Sequence, residues 1–523
     1  MIPGAIDTEV LRDFFRADSA ARRRKDRSLT GTVVDGVLNF RYKEGALPIA
    51  EPRSSHAGER TPPMGRTTTH ALAALAVILL LAPLTALHGR ETRPAKPNIL
   101  VILTDDQGRG DYSAYGTKDI RTPHIDRLCR EGLVFQNFFA NSCVCSPSRA
   151  ALLTGCYPDR VGVPGVIREE TPDDSWGYLS PQAVLLPQRL KSAGYHTALI
   201  GKWHLGIGSP NTPIDRGFDF FHGFLGDMMD DYWTHRRHGH NFMRRNLEVV
   251  DPPGHATDVF TGWACEYLAD RAKAGGPFFL YLAYNAPHDP IQPPPEWLAK
   301  VRRREPDMSE RRARLVALIE HLDDGIGKVL HTLDRAGLSR NTLVIFTSDN
   351  GGVLANGANN GPWRGEKCHM YEGGLRVPGA ACWPGVIAPG SSSDRMTLTM
   401  DIFATACDVA GVQPPADIDG VSFLAELRGE PSPAHRREFY FVRREGGPAY
   451  GGRTIDALRR GDWKLLQDSP FRPLELYDLK SDPQETTDLA AKDRKVFNEL
   501  SVALQKHIQR AGSVPWQAPK PSP

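Results

Sequence analysis

Net charge is almost absent from this chain. Its 64 lysines and arginines face 62 aspartates and glutamates, a formal net charge of +2. No bulk attraction to nucleic acid or to an anionic membrane surface follows from that balance. Cysteine is sparse. Eight residues, Cys129, Cys143, Cys145, Cys156, Cys265, Cys368, Cys382 and Cys407, are scattered without a C-x-x-C pair. That scatter argues against a zinc site. There are no internal repeats, and long apolar runs are few. Residues 71–84 form one, too short and too rich in alanine for a comfortable membrane span.

What is present suits a globular enzyme. Apolar residues make up 40% and charged residues 24% of the chain, an ordinary balance for a soluble fold. A length of 523 residues suits one large core plus a smaller one. The 49 glycines and 42 prolines point to a loop-rich enzyme rather than a helical bundle.

The apolar run at 71–84 has the flanks of a secretory signal peptide. Met64-Gly65-Arg66 gives a basic start and Leu84-Thr85-Ala86 a small-residue cleavage site. Translation is therefore expected to begin at Met64, with residues 64–89 as the signal. Residues 1–63, which include Arg22-Arg23-Arg24-Lys25, read as out-of-gene or disordered sequence. Export to the periplasm or the medium follows, with no stable membrane insertion after cleavage. Export permits disulfides, whose pairing stays open.

Beyond a linker at 87–97, the run at 98–103 is nearly all apolar, as are 197–200, 278–283 and 343–346. Such runs mark strands buried on both faces. A helical stripe lies between them: Leu315, Leu318, Leu322, Ile326, Val329, Leu330 and Leu333, stopped by Gly337. The alternation predicts an α/β catalytic domain over 96–428, with a large, mixed, mostly parallel sheet covered by helices. Gly429, Pro431 and Pro433 mark a boundary. After it, 439–442, 455–458, 463–466 and 474–479 read as a small antiparallel sheet closed by a helix at 496–508. This second domain spans 429–515, and 516–523 form a loose tail.

Each apolar run ends in polar residues. Asp105 and Asp106 follow the first, Lys202 and His204 the second, Asn285 and His288 the third, Asp349 and Asn350 the fourth. In open α/β sheets, ligands bind beyond the carboxyl ends of the strands. Asp105, Asp106, Asp349 and Asn350 offer only hard oxygen ligands, which suit Ca²⁺ or Mg²⁺ rather than zinc, with Ca²⁺ favoured because several carboxylates crowd a larger, more flexible shell. Each pair also makes a good turn. Two such pairs after two apolar strands favour the metal. Near Cys145, Ser146 reads as a helix N-cap, Pro147 as the first helical residue and Gly155 as the stop. Cys145 would then lie at the positive end of a helix, a place that favours a reactive sulfur.

Cys145-Ser146-Pro147-Ser148-Arg149, with Thr154-Gly155 beyond, resembles the signature of type I formylglycine-dependent sulfatases. Further resemblances accompany it. They are residues 97–106, Gly201-Lys202-Trp203-His204-Leu205-Gly206, Pro287-His288, Thr347-Ser348-Asp349-Asn350-Gly351-Gly352, and Arg364-Gly365-Glu366-Lys367 with residues 372–378. The likeness covers roughly residues 96–490 and implies the alkaline-phosphatase-like fold. It also implies that a formylglycine-generating enzyme oxidises Cys145, and that one Ca²⁺ is held by Asp105, Asp106, residue 145, Asp349 and Asn350. The hydrated aldehyde would attack sulfur. Arg149, Lys202 and Lys367 would supply positive charge. His288, alone or with Lys367, would protonate the leaving oxygen, and His204 would take the proton of the second hydroxyl.

Residues 226–246 read as an inserted loop in which Arg236, Arg237, Tyr232 and Trp233 could hold an acidic sugar. A sulfated polysaccharide or oligosaccharide is the expected substrate, with an aryl sulfate as the simple one. Two alternatives remain: a phosphodiester or phosphonate ester hydrolase of the same fold, and an inactive calcium-bound glycan-binding protein.

Overall fold

A computed structural model describes residues 96–168, 175–431, 437–445 and 453–519. The proposed signal and the extension before it lie outside the described residues. Twelve strands make up or flank the large sheet: β1 (Asn98–Thr104), β2 (Leu133–Phe139), β3 (His196–Lys202), β4 (Phe220–Phe224), β5 (Arg236–Arg237), β6 (His240–Asn241), β7 (Met243–Arg245), β8 (Glu248–Val249), β9 (Phe278–Ala283), β10 (Thr342–Ser348), β11 (Gly379–Cys382) and β12 (Ser391–Leu398). Ten of them form one sheet in the order β12-β2-β11-β10-β1-β9-β3-β4-β7-β8, while β5 and β6 pair with each other.

The four apolar runs are its centre. β10, β1, β9 and β3 lie side by side and parallel. Ile99, Leu100, Val101 and Ile102 on β1 are fully buried, as continuous apolar sequence requires of a strand covered on both faces. Each such side chain contributes about 1.5–3 kcal/mol on leaving water. β11 runs antiparallel to β10 and to β2, so β2 points the same way as the central strands. The sheet is mixed, as expected.

The helices of seven or more residues are α1 (Pro123–Glu131), α2 (Cys145–Thr154), α3 (Leu186–Ser192), α4 (Ala256–Ala274), α5 (Pro295–Arg304), α6 (Glu310–Arg335), α7 (Asp401–Ala410) and α8 (Arg494–Ala511). The predicted stripe on α6 is buried, and Gly337 follows it at φ 70°. Among the described residues no helix is long and apolar enough to cross a membrane.

The second sheet is antiparallel, in the order β13 (Glu438–Arg444), β14 (Thr454–Arg460), β15 (Trp463–Gln467) and β16 (Glu475–Asp478). α8 packs against β14 and β15.

Three local expectations change. The helix carrying the cysteine motif starts at Cys145, with Val144 as its N-cap. Ser146 therefore lies inside the helix, and its hydroxyl accepts from the Ile167 amide at 3.1 Å rather than capping. Pro147 fits because the first turn has no intrahelical acceptor for its missing N–H. Next, residues 226–246 are not merely a loop. They carry the β5–β6 hairpin, and β7 adds to the large sheet beside β4. Finally, the tail is docked as far as Trp516, which stacks on Trp176 with ring centroids 4.4 Å apart. Residues 520–523 lie outside the described residues.

Candidate active site

The carboxyl ends of β1, β3, β9 and β10 deliver their polar residues to one rim, and α2 enters it after β2. Close backbone approach sets the rim's dimensions. Gly201 in β3 has φ 104°, and a Cβ there would lie 1.9 Å from the Ala283 carbonyl oxygen. Gly223 of β4 meets Gly201 in the same way, at 2.0 Å. Only glycine allows β3 to sit this near its neighbours, one residue before Lys202.

Cys145 is 3% exposed. Its Sγ lies 3.5 Å from Asp105 Oδ1 and 3.9 Å from Asp106 Oδ1. Cations hold the outer carboxylate oxygens. Lys202 Nζ donates to Asp105 Oδ2 at 2.6 Å, and Lys367 Nζ to Asp106 Oδ2 at 2.6 Å. Arg149 Nη2 donates to Asp349 Oδ2 at 2.8 Å and lies 3.4 Å from Asp105 Oδ2. Asn350 Nδ2 donates to Asp106 Oδ1 at 2.7 Å. Lys367 Nζ also approaches His288 Nε2 at 3.0 Å, while His288 Nδ1 lies 2.9 Å from the Asp289 carbonyl oxygen. The structure thus brings together all the residues expected at this site.

Charge is strongly redistributed here. Burial alone would raise Asp105, but Lys202 and Arg149 outweigh it and hold the carboxyl below its usual range. Asp349 moves the other way, because burial and the adjacent Asp105 both oppose its charge. Burial opposes the Lys202 and Lys367 ammoniums, yet Asp105 and Asp106 raise them. Cys145 is shifted as well. Burial pushes its thiol well above the ordinary value, against the pull of Lys202 and Lys367.

His204 stands in the left-handed region at φ 56° and is 2% exposed. Its Nε2 lies 3.0 Å from the Ile167 carbonyl oxygen, and its Nδ1 is buried without a partner. Burial first, then Lys202 and Arg149, push it well below the normal imidazole range. The ring is therefore neutral, with Nε2–H donating to the carbonyl. Nδ1 is left as a free lone pair.

The oxygens suit a hard divalent cation. Asp105, Asp106, Asp349 and Asn350 gather with no soft ligand but residue 145, and Asn350 Oδ1 is buried and unpartnered. Two crowded carboxylates and an orphaned amide oxygen are what such an ion would relieve. A second histidine–carboxylate group, His255, Asp258 and His321, does a different job. His255 Nδ1 accepts from the Thr257 amide at 3.2 Å, capping α4, and Nε2 lies 3.0 Å from the Gln292 carbonyl oxygen.

A cavity of about 590 Å³ opens over Cys145, His204, His288 and Lys367. Its walls include Arg168, Arg237, Arg443 and Arg453. Of these the sequence pointed only to Arg237, which is paired with Asp227 at 2.9 Å and Asp230 at 2.8 Å. Arg236 does not line the cavity. It pairs with Asp251 at 2.8 Å. Tyr232 is no stacking platform either. It is buried, and its Oη donates to the Asn285 and His288 carbonyl oxygens at 2.8 and 2.9 Å, fixing the histidine loop.

Comparison with known proteins agrees with this fold. Residues 97–412 match the Sulfatase family, and residues 363–513 match "N-sulphoglucosamine sulphohydrolase, C-terminal". The N-acetylgalactosamine-6-sulfatase of Canis lupus familiaris is 34% identical over 407 residues, 74% of either chain. The steryl-sulfatase of Mus musculus is 30% identical over 567 residues, covering 85% of this chain and 87% of that one. The solved structure of Ps i-CgsB in complex with k-i-k-neocarrahexaose superposes with a TM-score of 0.73 at 29% identity, covering 81% of this chain and 95% of that one. An alkaline-phosphatase-like sheet with this rim defines a class of ester hydrolases. Within that class the chain belongs to the sulfatase family, and it is a sulfuric ester hydrolase.

Proposed function

We propose that the protein hydrolyses sulfate esters of a sulfated saccharide, with formylglycine at position 145 and one Ca²⁺. The observation that carries this is the thiol of Cys145 at 3.5 Å from Asp105 within the ring of Arg149, Lys202, Lys367, His204 and His288. A saccharide substrate is supported by two relatives, one named for N-acetylgalactosamine-6-sulfate and one solved with a neocarrahexaose.

Asp105, Asp106, Asp349 and Asn350, with residue 145, would hold the ion. The hydrated aldehyde supplies a nucleophilic oxygen and a second hydroxyl on the same carbon, and Ca²⁺ supplies positive charge for the sulfate oxygens. The buried, protonated thiol of unmodified Cys145 is a poor nucleophile, which supports the need for oxidation. Lys202 and Lys367 place ammonium charge where the sulfuryl oxygens gather. His288 and Lys367, 3.0 Å apart, stand together as the proton source for the leaving oxygen. His204 Nδ1 accepts a proton at the end of the cycle, since it is the unprotonated nitrogen and has no other partner.

Mass spectrometry of the peptide containing residue 145 tests the modification, and Cys145→Ala should abolish turnover. Full activity in that variant would refute the assignment. Paired assays on aryl sulfate and aryl phosphate separate sulfuryl from phosphoryl transfer, and sulfate release excludes a purely glycan-binding role. Calcium removal by a chelator should lower activity and stability together, both restored by Ca²⁺. The apolar segment at 71–84 supports export, which N-terminal sequencing of the mature chain checks.

A further inference from the structure

The cavity over Cys145 is larger than a sulfate needs, and one side of its wall comes from the small C-terminal sheet. Arg443 is the last residue but one of β13, and Arg453 leads into β14. The Glu445 amide donates to the Arg453 carbonyl oxygen, which ties the two segments together. Glu445 is buried and serves two arginines. Its carboxylate pairs with Arg443 at 3.1 Å and with Arg168 at 3.1 Å. Arg237, across the cavity, is held by Asp227 and Asp230.

Arg453 differs from these three. It lines the same cavity and is partly buried, yet its guanidinium makes no ion pair or hydrogen bond among the described residues. Among the described residues Asp227 is the one carboxylate on the cavity wall, and Arg237 already occupies it. Val144, Val166 and Met228 give the remaining wall apolar surface that suits the faces of a sugar ring. An uncommitted guanidinium is a planar fork of donors matched to a carboxylate or a sulfate.

We propose that Arg453 binds a second anionic group of the substrate, a carboxylate or a further sulfate, carried by the residue next to the one that loses its sulfate. The substrate is then an acidic oligosaccharide rather than an isolated sulfated sugar. This rests on the sulfatase reading of the site, and it gives the small sheet a part in choosing the substrate.

The test uses the aldehyde-bearing enzyme with Ca²⁺ and four substrates. These are an aryl sulfate, a sulfated disaccharide whose second sugar is neutral, the same disaccharide with a uronate carboxylate, and the same with a second sulfate. The wild-type KM should be about tenfold lower for a charged second sugar than for the neutral one, as a hydrogen-bonded charge pair would give. The advantage should shrink as salt rises. Arg453→Ala should remove most of it through KM, and Arg453→Lys should restore part. Which charged disaccharide gains more distinguishes carboxylate from sulfate. Equal KM for charged and neutral disaccharides in the wild type overturns the proposal, as does an advantage that survives Arg453→Ala. No sulfate release from any of the four, the aryl sulfate included, would overturn the sulfatase reading itself.

Discussion

At the residue scale the site is defined by which atoms are already occupied. Each outer oxygen of the acidic group has a cation, while Asn350 Oδ1, Asn285 Oδ1 and His204 Nδ1 keep free lone pairs. For His204 this gives a specific expectation. His204→Ala should lower steady-state kcat by at least about 100-fold, the usual size of a lost proton acceptor. Loss at the end of the cycle leaves the first step intact. A rapid burst of alcohol, close to one equivalent of enzyme, should therefore precede the slow phase. Stopped-flow release of an aryl alcohol checks this, and a slow phase with no burst would move His204 to the earlier step. Asp105, Asp106, Lys202, His204, His288, Asp349 and Asn350 were legible in the sequence because each lies just beyond an apolar run, and Cys145, Arg149 and Lys367 because of the short motifs around them. Arg443 and Arg453 were not. They lie some three hundred positions after Cys145, on a different sheet, and an arginine beside a strand carries no local sign of what it faces.

At the scale of elements, legibility followed burial. β1, β3, β9 and β10 are covered on both faces, so they appear as unbroken apolar sequence. β2 carries Gln136 and Asn137 in its middle, partly exposed, and its pattern is not that of a buried strand. β11 is four small residues. Neither was foreseen, although β2 is the strand that leads to Cys145. Two predictions belong here. Gly201→Ala would push a methyl against the Ala283 carbonyl, so β3 must shift and carry Lys202 and His204 with it. Activity should fall by more than tenfold together with a lower melting temperature, about 1–3 kcal/mol for overpacking. The second concerns α4, whose cap depends on a neutral imidazole. Burial and then His321 lower His255 from 6.5 to about 4. A depressed histidine contributes stability that is present above 6.5 and lost as pH falls toward 4, because the unfolded chain takes up the proton first. Protonating Nδ1 also removes the acceptor of the Thr257 amide. Urea melts should lose up to about 1.4 kcal/mol per pH unit in that window from this group. His255→Asn, which caps without titrating, should flatten the slope.

Across the whole molecule, the two sheets are joined by a buried charge cluster behind the lysine loop. Glu372 lies just after that loop and accepts from Lys464 at 3.0 Å, Arg459 at 3.1 Å and Arg376 at 3.0 Å. Lys464 and Arg459 belong to β15 and β14. Burial would raise Glu372, but Lys464, Arg459 and Arg376 outweigh it and hold it far below the usual carboxylate range. Its contribution is complete above 4.5 and fades as pH falls through the lower folded value. Glu372→Gln leaves buried cations undercompensated and should destabilise the protein by about 3–5 kcal/mol. Differential scanning calorimetry reads this directly, and a loss below 1 kcal/mol would mean that Glu485, 2.8 Å from Lys464, suffices alone. The burial of α2 has a consequence in time. Cys145 reaches solvent only through the cavity and is 3% exposed, while Pro147 and Arg149 are buried in the finished protein. If residue 145 is oxidised as proposed, an enzyme that had to reach all three of these side chains would have access only while the polypeptide is still unfolded. Maturation is then a race between two clocks, and a chain that folds first is locked out for good. Folded, unmodified protein should stay inactive however long it is incubated with that enzyme, whereas a short peptide of the same sequence should be converted.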